Sequence, residues 1–158
     1  MQKPTKIKLA IFAVLTIVLI GTFACEKRKI KKQKEEDEQI IKDYISSRNL
    51  KATATSSGLY YVINPQGTGD NPTINSSVTV NYKGYLSDGK VFDQSPLAGA
   101  TFPLSGVIKG WQEGIPYFKK GGKGMLLIPS ALGYGSRETS GIPANSVLIF
   151  DIELLNVQ

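Results

Sequence analysis

Apolar and polar residues alternate with a period of two in several short stretches between residue 58 and the C-terminus. This period is typical of strands that bury one face, and here it predicts mostly antiparallel β-structure. The Asp88-Gly89 pair between two of these stretches is typical of a two-residue hairpin turn. The predicted strands are Leu59 to Ile63, a strand containing Val78, Val80 and Tyr82, Val91 to Asp93, Met125 to Ile128, and Ser146 to Leu155.

One segment in this region has a helical pattern. It runs from Trp111 to Phe118, and Pro116 shortens it because proline has no backbone N–H to donate. A mostly antiparallel sheet that curves around one short helix is an α+β domain. We place this predicted domain at residues 58–158.

The N-terminal part of the chain has a different pattern. Three lysines within residues 1–8 precede an uncharged stretch of 16 residues, Leu9 to Ala24. A basic region followed by an apolar region is typical of export signals, which predicts a signal peptide at residues 1–24. A stable transmembrane helix needs about 20 apolar residues, and an uncleaved membrane anchor is the alternative. The sequence from Thr22 to Cys25 (TFAC) resembles the lipobox of bacterial lipoproteins, although Thr22 stands where a leucine-like residue is usual.

Cys25 is the only cysteine of the chain. A single cysteine forms no internal disulfide, no Cys-x-x-Cys redox pair and no cysteine-based zinc site. The resemblance to lipoproteins implies that its sulfur carries a diacylglycerol and that Cys25 becomes the mature N-terminus. The protein would then be lipid-anchored to a membrane in the bacterial cell envelope and face the periplasm or the exterior.

Residues 25–57 connect Cys25 to the predicted domain. A basic block at residues 26–34 precedes an acidic block at residues 35–38, and such blocks are usually solvated tethers. A short amphipathic helix is predicted from Glu35 to Arg48, and its apolar side could pack on its own domain or on a second copy of the chain. We expect a charged tether, a domain that folds alone from near Thr53 onward, and a monomeric protein.

Composition excludes several classes of function. The 158 residues carry 19 Lys and Arg against 13 Asp and Glu, a net charge of +6, but residues 58–158 contain seven of each sign. A nucleic-acid-binding domain would carry its basic patch on the fold, whereas this domain is neutral, so we expect no nucleic-acid partner. The chain has no histidine, which excludes Ser-His-Asp and Cys-His nucleophiles and imidazole metal sites.

Five motifs of the predicted domain resemble those of FK506-binding-protein-type (FKBP-type) peptidyl-prolyl isomerases, in the same order and spacing. The resemblance extends from Gly58 to the C-terminus and implies the family's fold, a curved sheet around a short helix. It also implies the family's activity, which is rotation of X-Pro bonds in proline-containing polypeptides without a metal or other cofactor. The motifs are Val80 to Gly84 (VNYKG), Asp88 to Asp93 (DGKVFD), Val107 to Gly114 (VIKGWQEG), Tyr134-Gly135, and Ile142 to Leu154 (IPANSVLIFDIEL).

The resemblance implies an apolar pocket for the substrate proline. Trp111 would form its floor, and the Tyr134 hydroxyl and a backbone N–H near Ile108 would hold the flanking carbonyls. Asp93 is a carboxylate beside apolar residues and needs a hydrogen-bond partner, which the Tyr82 hydroxyl can supply. The residues so assigned are the catalytic set Tyr82, Phe92, Asp93, Ile108, Trp111, Tyr134 and Phe150, and the substrate-binding residues Val107 and Ile142.

Two departures from the family pattern concern the rim of this pocket. The loop after Asp93 lacks the arginine that some members use to pair with the aspartate. Ala100 stands where many eukaryotic relatives have an aromatic wall, so we expect a pocket that is more open on that side. A non-catalytic module that binds a proline-containing segment in an envelope assembly would use most of the same residues, and it is the alternative to an isomerase.

We predict that Cys25 is lipidated and that the mature chain begins there, because the cysteine directly follows the apolar stretch. Cys25→Ala should then leave an unprocessed precursor in cells. Mass spectrometry of the wild-type protein should find no peptide from residues 1–24. An intact N-terminal segment on the wild-type chain would contradict the prediction and support an uncleaved anchor.

Overall fold

The computed structural model describes the backbone of residues 4–158 and the side chains of residues 25–158. The predicted signal peptide at residues 1–24 lies outside the described side chains. A long helix is followed by seven strands, with a second, short helix between the fifth and sixth strands. The elements are α1 (Pro4–Ser47), β1 (Thr53–Ala54), β2 (Tyr60–Ile63), β3 (Ser77–Leu86), β4 (Val91–Gln94), β5 (Ala100–Pro103), α2 (Lys109–Gly114), β6 (Lys123–Ile128) and β7 (Leu148–Val157).

The chain divides into two compact units, Met1–Glu35 and Glu36–Gln158. In the first unit the described side chains of α1 begin with Cys25, which is exposed and has a free thiol. Lys31 and Glu35 form an ion pair at 3.8 Å between successive turns of this helix. Among the residues that the structure describes, no helix has the length and apolar character needed to cross a bilayer.

The seven strands of the second unit form one antiparallel sheet in the order β1-β2-β6-β7-β3-β4, and β5 also pairs with β3. Strand β3 is central because it pairs with β7 along one edge and with both β4 and β5 along the other. The five strands expected from the sequence are present, which confirms the predicted α+β fold. Strands β1 and β5 were not predicted. They are two and four residues long, too short to show a clear alternation.

The predicted hairpin turn lies between β3 and β4. Gly89 has a φ of 90°, a conformation that glycine adopts without steric cost, and its N–H donates to the Leu86 carbonyl at 2.9 Å. The Asp88 carboxylate accepts a 2.9 Å hydrogen bond from the Lys90 N–H. The turn therefore returns the chain directly into the strand that carries Phe92 and Asp93.

Helix α2 differs from its prediction at both ends. It begins at Lys109 and ends at Gly114, and a 3-10 turn at Ile115–Tyr117 follows it because Pro116 cannot donate to an α-helical bond. The helix lies directly on β6. A Cβ atom at Gly114 would be 2.7 Å from Leu126, and one at Gly110 would overlap Ile128, so only glycine permits this approach.

The inner face of the sheet and helix α2 enclose the main core. Strands β3, β6 and β7 each contribute alternate side chains to it, as the period of two predicts. The buried members are Leu59, Val78, Val80, Leu86, Leu104, Trp111, Ile115, Phe118, Leu126, Ile128, Ile142, Leu148, Phe150, Ile152 and Leu154.

A second core lies on the outer face of the same sheet, under the C-terminal part of α1. Ile41 and Tyr44 of the helix are buried against Leu127 of β6 and Ile149 of β7. The Tyr85 hydroxyl donates to Asp151 at 3.1 Å, so in its 3.1 Å contact with the Tyr44 hydroxyl it is the acceptor.

The apolar side of the amphipathic helix thus packs on its own domain. This was one of the two alternatives from the sequence, the other being contact with a second copy of the chain. The compact unit begins at Glu36, whereas the domain predicted from the sequence begins at residue 58. A chain that starts near Thr53 would lack Ile41 and Tyr44, and the expectation that it folds alone did not take this outer core into account. Without α1, the apolar side chains of the outer sheet face would be exposed to water.

Ile41 and Ile40 give a matched test of the outer core. Ile41 is fully buried, whereas Ile40 is 37% exposed. Ile41→Ala should lower the free energy of unfolding by about 2–5 kcal/mol, because it removes buried methyl groups and leaves a cavity. Ile40→Ala should change it by about 0.5 kcal/mol or less. Urea denaturation of both variants measures the difference, and equal small effects would contradict the packing described here.

Candidate active site

Five aromatic rings meet where the inner face of the sheet contacts helix α2. The ring of Trp111 makes edge-to-face contacts with those of its neighbours, a preferred arrangement for aromatic pairs. Its centroid lies 5.2 Å from that of Tyr82, 5.3 Å from that of Phe150 and 5.8 Å from that of Phe102. The cluster consists of Tyr82 on β3, Phe92 on β4, Phe102 on β5, Trp111 on α2 and Phe150 on β7.

Gly84 makes room for two of these rings. It lies on β3 opposite Phe150 of β7 and next to β4, which carries Phe92. A Cβ atom at this position would be 2.7 Å from both phenylalanine rings. Because glycine has no Cβ, Phe92 and Phe150 meet over it edge to face, with ring centroids 5.5 Å apart.

The cluster has a buried floor and a half-exposed rim. Trp111 and Phe150 are 4% and 5% exposed, whereas Tyr82, Phe92 and Phe102 are half-buried. The indole N–H of Trp111 is buried and makes no hydrogen bond to any described residue. A buried donor of this kind is uncommon in folded proteins and is a place where a ligand acceptor could bind.

The other apolar residues assigned to the site belong to, or pack against, the hydrophobic core that contains Trp111. Ile142 is buried at 3% exposure. Val107, Ile108 and Tyr134 are half-buried and pack against the core that contains Trp111. The predicted apolar and aromatic site residues therefore all lie in or against one hydrophobic core.

Asp93 is held by two hydrogen bonds. The Tyr82 hydroxyl donates to its Oδ2 at 2.8 Å, which confirms the partner expected from the sequence. The backbone N–H of Gln94 donates to its Oδ1 at 2.9 Å. The carboxylate therefore has a donor on each oxygen, and among the described residues it has no cationic partner.

The Tyr82 hydroxyl remains protonated at neutral pH. Burial and the hydrogen bond to Asp93 raise the pKa of Tyr82 to about 12. The negative carboxylate acts in the same direction as burial, because both disfavour a phenolate. Tyr82 is therefore a fixed donor to Asp93, and the pair orients the ring that contacts Trp111.

Two further groups of the predicted site are the backbone of Ile108, at the start of helix α2, and Tyr134, in the chain between β6 and β7. The carbonyl of Ile108, the N-cap residue of α2, accepts hydrogen bonds from the N–H groups of Trp111 and Gln112 at 3.0 and 3.1 Å. The N–H of Ile108 precedes the helix and has no acceptor within it. Tyr134 lies in the loop after a 3-10 turn at Ser130–Leu132, between Gly133 and Gly135.

Phe102 was not predicted from the sequence, in which Ala100, two residues earlier, indicated an open side of the pocket. In β5 the half-buried positions alternate with exposed ones, so Ala100 and Phe102 share a face. The ring of Phe102 lies 6.0 Å from that of Tyr82 and supplies an aromatic contact on that side. An alternation of only four residues, ending at Pro103, is too short for a sequence pattern to reveal.

Comparison with known proteins agrees with this geometry. The family model described as FKBP-type peptidyl-prolyl cis-trans isomerase matches residues 69–155. The FKBP-type peptidyl-prolyl cis-trans isomerase FkpA of Buchnera aphidicola (subspecies Schizaphis graminum) is 47% identical over 137 residues, which are 82% of this chain and 54% of that protein. FkpA of Escherichia coli K12 is 43% identical over 134 residues, 82% of this chain and 50% of that protein. The chain thus spans about half the length of these curated relatives.

Solved structures show the same similarity. The crystal structure of FkpA from Escherichia coli matches with a TM-score of 0.71 at 37% identity and covers 99% of this chain and 74% of that one. The crystal structure of AtFKBP13 matches with a TM-score of 0.62 at 35% identity and covers 68% of this chain and 99% of that one. The match at residues 69–155 is more than half of the 158 residues and includes the whole aromatic cluster. The chain therefore belongs to the family of FKBP-type peptidyl-prolyl cis-trans isomerases.

Proposed function

We propose that this protein catalyses cis-trans isomerisation of X-Pro bonds in exported or envelope proteins. The observation that carries the proposal is the aromatic cluster around Trp111, with its buried floor and half-exposed rim. The cluster lies inside the segment that the family model matches, and the Tyr82–Asp93 hydrogen bond fixes one of its walls. The substrates are proline-containing polypeptides, since an apolar site of this kind fits the ring of proline.

The barrier to be lowered is the loss of amide resonance. Rotation about a peptide bond costs about 18–20 kcal/mol, because the C–N bond has partial double-bond character in the planar state. The twisted amide has less charge separation than the planar amide. An apolar site therefore destabilises the planar state more than the twisted one, and this difference in binding accelerates rotation without a covalent step.

Fixed hydrogen bonds supply the orientation. The N–H of Ile108, which has no acceptor in helix α2, and the Tyr134 hydroxyl hold the carbonyls on either side of the X-Pro bond. The Tyr82–Asp93 pair keeps the wall of the pocket in place rather than moving a proton. Val107 and Ile142 complete the apolar lining around the proline ring.

The protein is lipid-anchored through Cys25 in the cell envelope under this proposal. Support comes from the basic region, the apolar stretch and the lipobox-like sequence at the N-terminus. The compact unit begins at Glu36, so the tether consists of residues 25–35. As a helix this segment spans about 16 Å. The protein acts as a monomer, which is supported by burial of the amphipathic stripe of α1 within its own domain.

Two pairs of variants test the site. Phe150→Ala should lower kcat/KM by about tenfold or more, equivalent to roughly 1.4 kcal/mol of transition-state stabilisation per factor of ten. Leu154→Ala is the matched control, because Leu154 is fully buried on the same face of β7 and lies outside the aromatic cluster. Asp93→Ala should also lower kcat/KM about tenfold, and Asp93→Asn should retain part of the activity because its amide oxygen can still accept from Tyr82.

The measurement is the isomerisation rate of a proline-containing peptide, with thermal unfolding recorded for each variant. The proposal is supported if the wild-type protein is active and kcat/KM falls in Phe150→Ala but not in Leu154→Ala. A wild-type protein that binds the peptide without accelerating isomerisation would overturn it and identify a non-catalytic binding module.

A further inference from the structure

Asp37 is a buried acidic residue outside the segment that the family model matches. It lies on helix α1, four residues before Ile41, and only 1% of it is exposed. Its sequence neighbours Glu35, Glu36 and Glu38 belong to the same acidic block, and none of them is buried to this degree. Burial of a carboxylate costs free energy unless hydrogen bonds compensate it, so the partners of Asp37 show what it does.

Ser130 donates two hydrogen bonds to Asp37. The Asp37 Oδ2 accepts from the Ser130 backbone N–H at 2.8 Å and from the Ser130 hydroxyl at 2.6 Å. Ser130 begins the 3-10 turn Ser130–Leu132, and the residue before it, Pro129, makes no side-chain cap. Asp37 therefore caps this turn from a distant part of the chain, as a local N-cap residue would.

The carbonyl of Ser130 continues this connection into the Tyr134 loop. It accepts hydrogen bonds from the N–H groups of Gly133 at 3.0 Å and Gly135 at 2.8 Å. These glycines flank Tyr134 on both sides. A continuous series of hydrogen bonds thus runs from α1 through Ser130 to the backbone that carries the Tyr134 side chain.

The far side of the loop is held to the chain before β7. The Gly135 carbonyl accepts a 2.7 Å hydrogen bond from the Asn145 N–H. Tyr134 is therefore fixed between this bond and the turn that Asp37 caps. If the Asp37 side chain is removed, the turn loses its hydrogen bonds to α1, whereas the bond to Asn145 remains.

We infer that Asp37 is a positioning residue for the Tyr134 loop, through its two hydrogen bonds to Ser130. The inference rests on the proposed isomerase function for its effect on activity. It extends the functional unit of this protein to helix α1, beyond the matched residues 69–155. Asp37 does not touch the substrate, so its removal changes the placement of Tyr134 and leaves the aromatic floor intact.

The first test is a kinetic double-mutant cycle on the full chain. Asp37→Ala should lower kcat/KM about tenfold in the wild-type background and by less than about twofold in a Tyr134→Ala background, because residues that act through one another are not additive. Asp37→Asn should recover much of the loss, since its amide oxygen can accept both bonds from Ser130. Ile41→Ala is the control for destabilised α1, and it should keep kcat/KM near the wild-type value while the protein is folded.

The second test measures amide hydrogen exchange in the Tyr134 loop and does not depend on activity. In Asp37→Ala the amides of Gly133 and Gly135 should exchange hydrogen faster, while amides of β7 keep their wild-type rates. If Asp37→Ala does not fold, Ser130→Ala removes the hydroxyl bond and retains the backbone bond. That milder variant should show the same selective exchange and a smaller loss of kcat/KM.

The outcomes separate the two proposals. An inactive wild-type protein overturns the isomerase function, and the exchange measurement then still decides the role of Asp37. Equal losses of kcat/KM in both backgrounds, or unchanged exchange at Gly133 and Gly135, would overturn the positioning role. Loss of activity in Ile41→Ala equal to that in Asp37→Ala would also overturn it, because general loosening of α1 would then explain both.

Discussion

The close approach of helix α2 to strand β6 is the constraint on which the site depends. Two glycines one helical turn apart allow it, since a side chain at Gly110 or Gly114 would collide with Ile128 or Leu126. The helix is only six residues long and could not hold its place by its own backbone bonds. Packing against the sheet holds it, and this packing puts Trp111 under the rings of β3, β5 and β7.

The sheet is shared by two cores, and the same strands serve both. Leu126 of β6 and Phe150 of β7 face α2, whereas Leu127 and Ile149, the next residue and the preceding one, face α1. The outer core and the aromatic cluster are therefore built on opposite faces of the same strands. This arrangement explains how a helix outside the matched segment can be part of the functional unit, with Ile41 stabilising the strands and Asp37 the loop.

The sequence predicted the parts of the structure that depend on short-range pattern. Alternation located the strands, Asp88-Gly89 located the hairpin, and the need of Asp93 for a partner pointed to Tyr82. Contacts between distant residues could not be read in this way. Asp37 and Ser130 are 93 positions apart, and in the sequence Asp37 is one acid in a charged block that is typical of a solvated tether.

Phe102 and the packing partner of helix α1 could not be identified from the sequence, for related physical reasons. A strand of four residues gives almost no periodic signal, so the position of Phe102 depends on its pairing with β3. The sequence indicated the apolar side of α1 but not the surface on which it packs. A short apolar stripe has the same pattern whether it packs on its own sheet or on another molecule. In both cases tertiary packing supplied the information that local sequence lacks.

Under the proposed function, an apolar site with fixed hydrogen bonds accelerates rotation, and no proton moves in the rate-limiting step. The most direct measurement is kcat/KM for one peptide across neutral pH, in H2O and in D2O. The chain has no histidine that could titrate near neutrality, and the Tyr82 hydroxyl stays uncharged there because its pKa is raised to about 12. We predict a flat profile from about pH 6 to 8 and a solvent isotope effect near unity. A bell-shaped profile in this range, or a large isotope effect, would require acid-base catalysis and would contradict this mechanism.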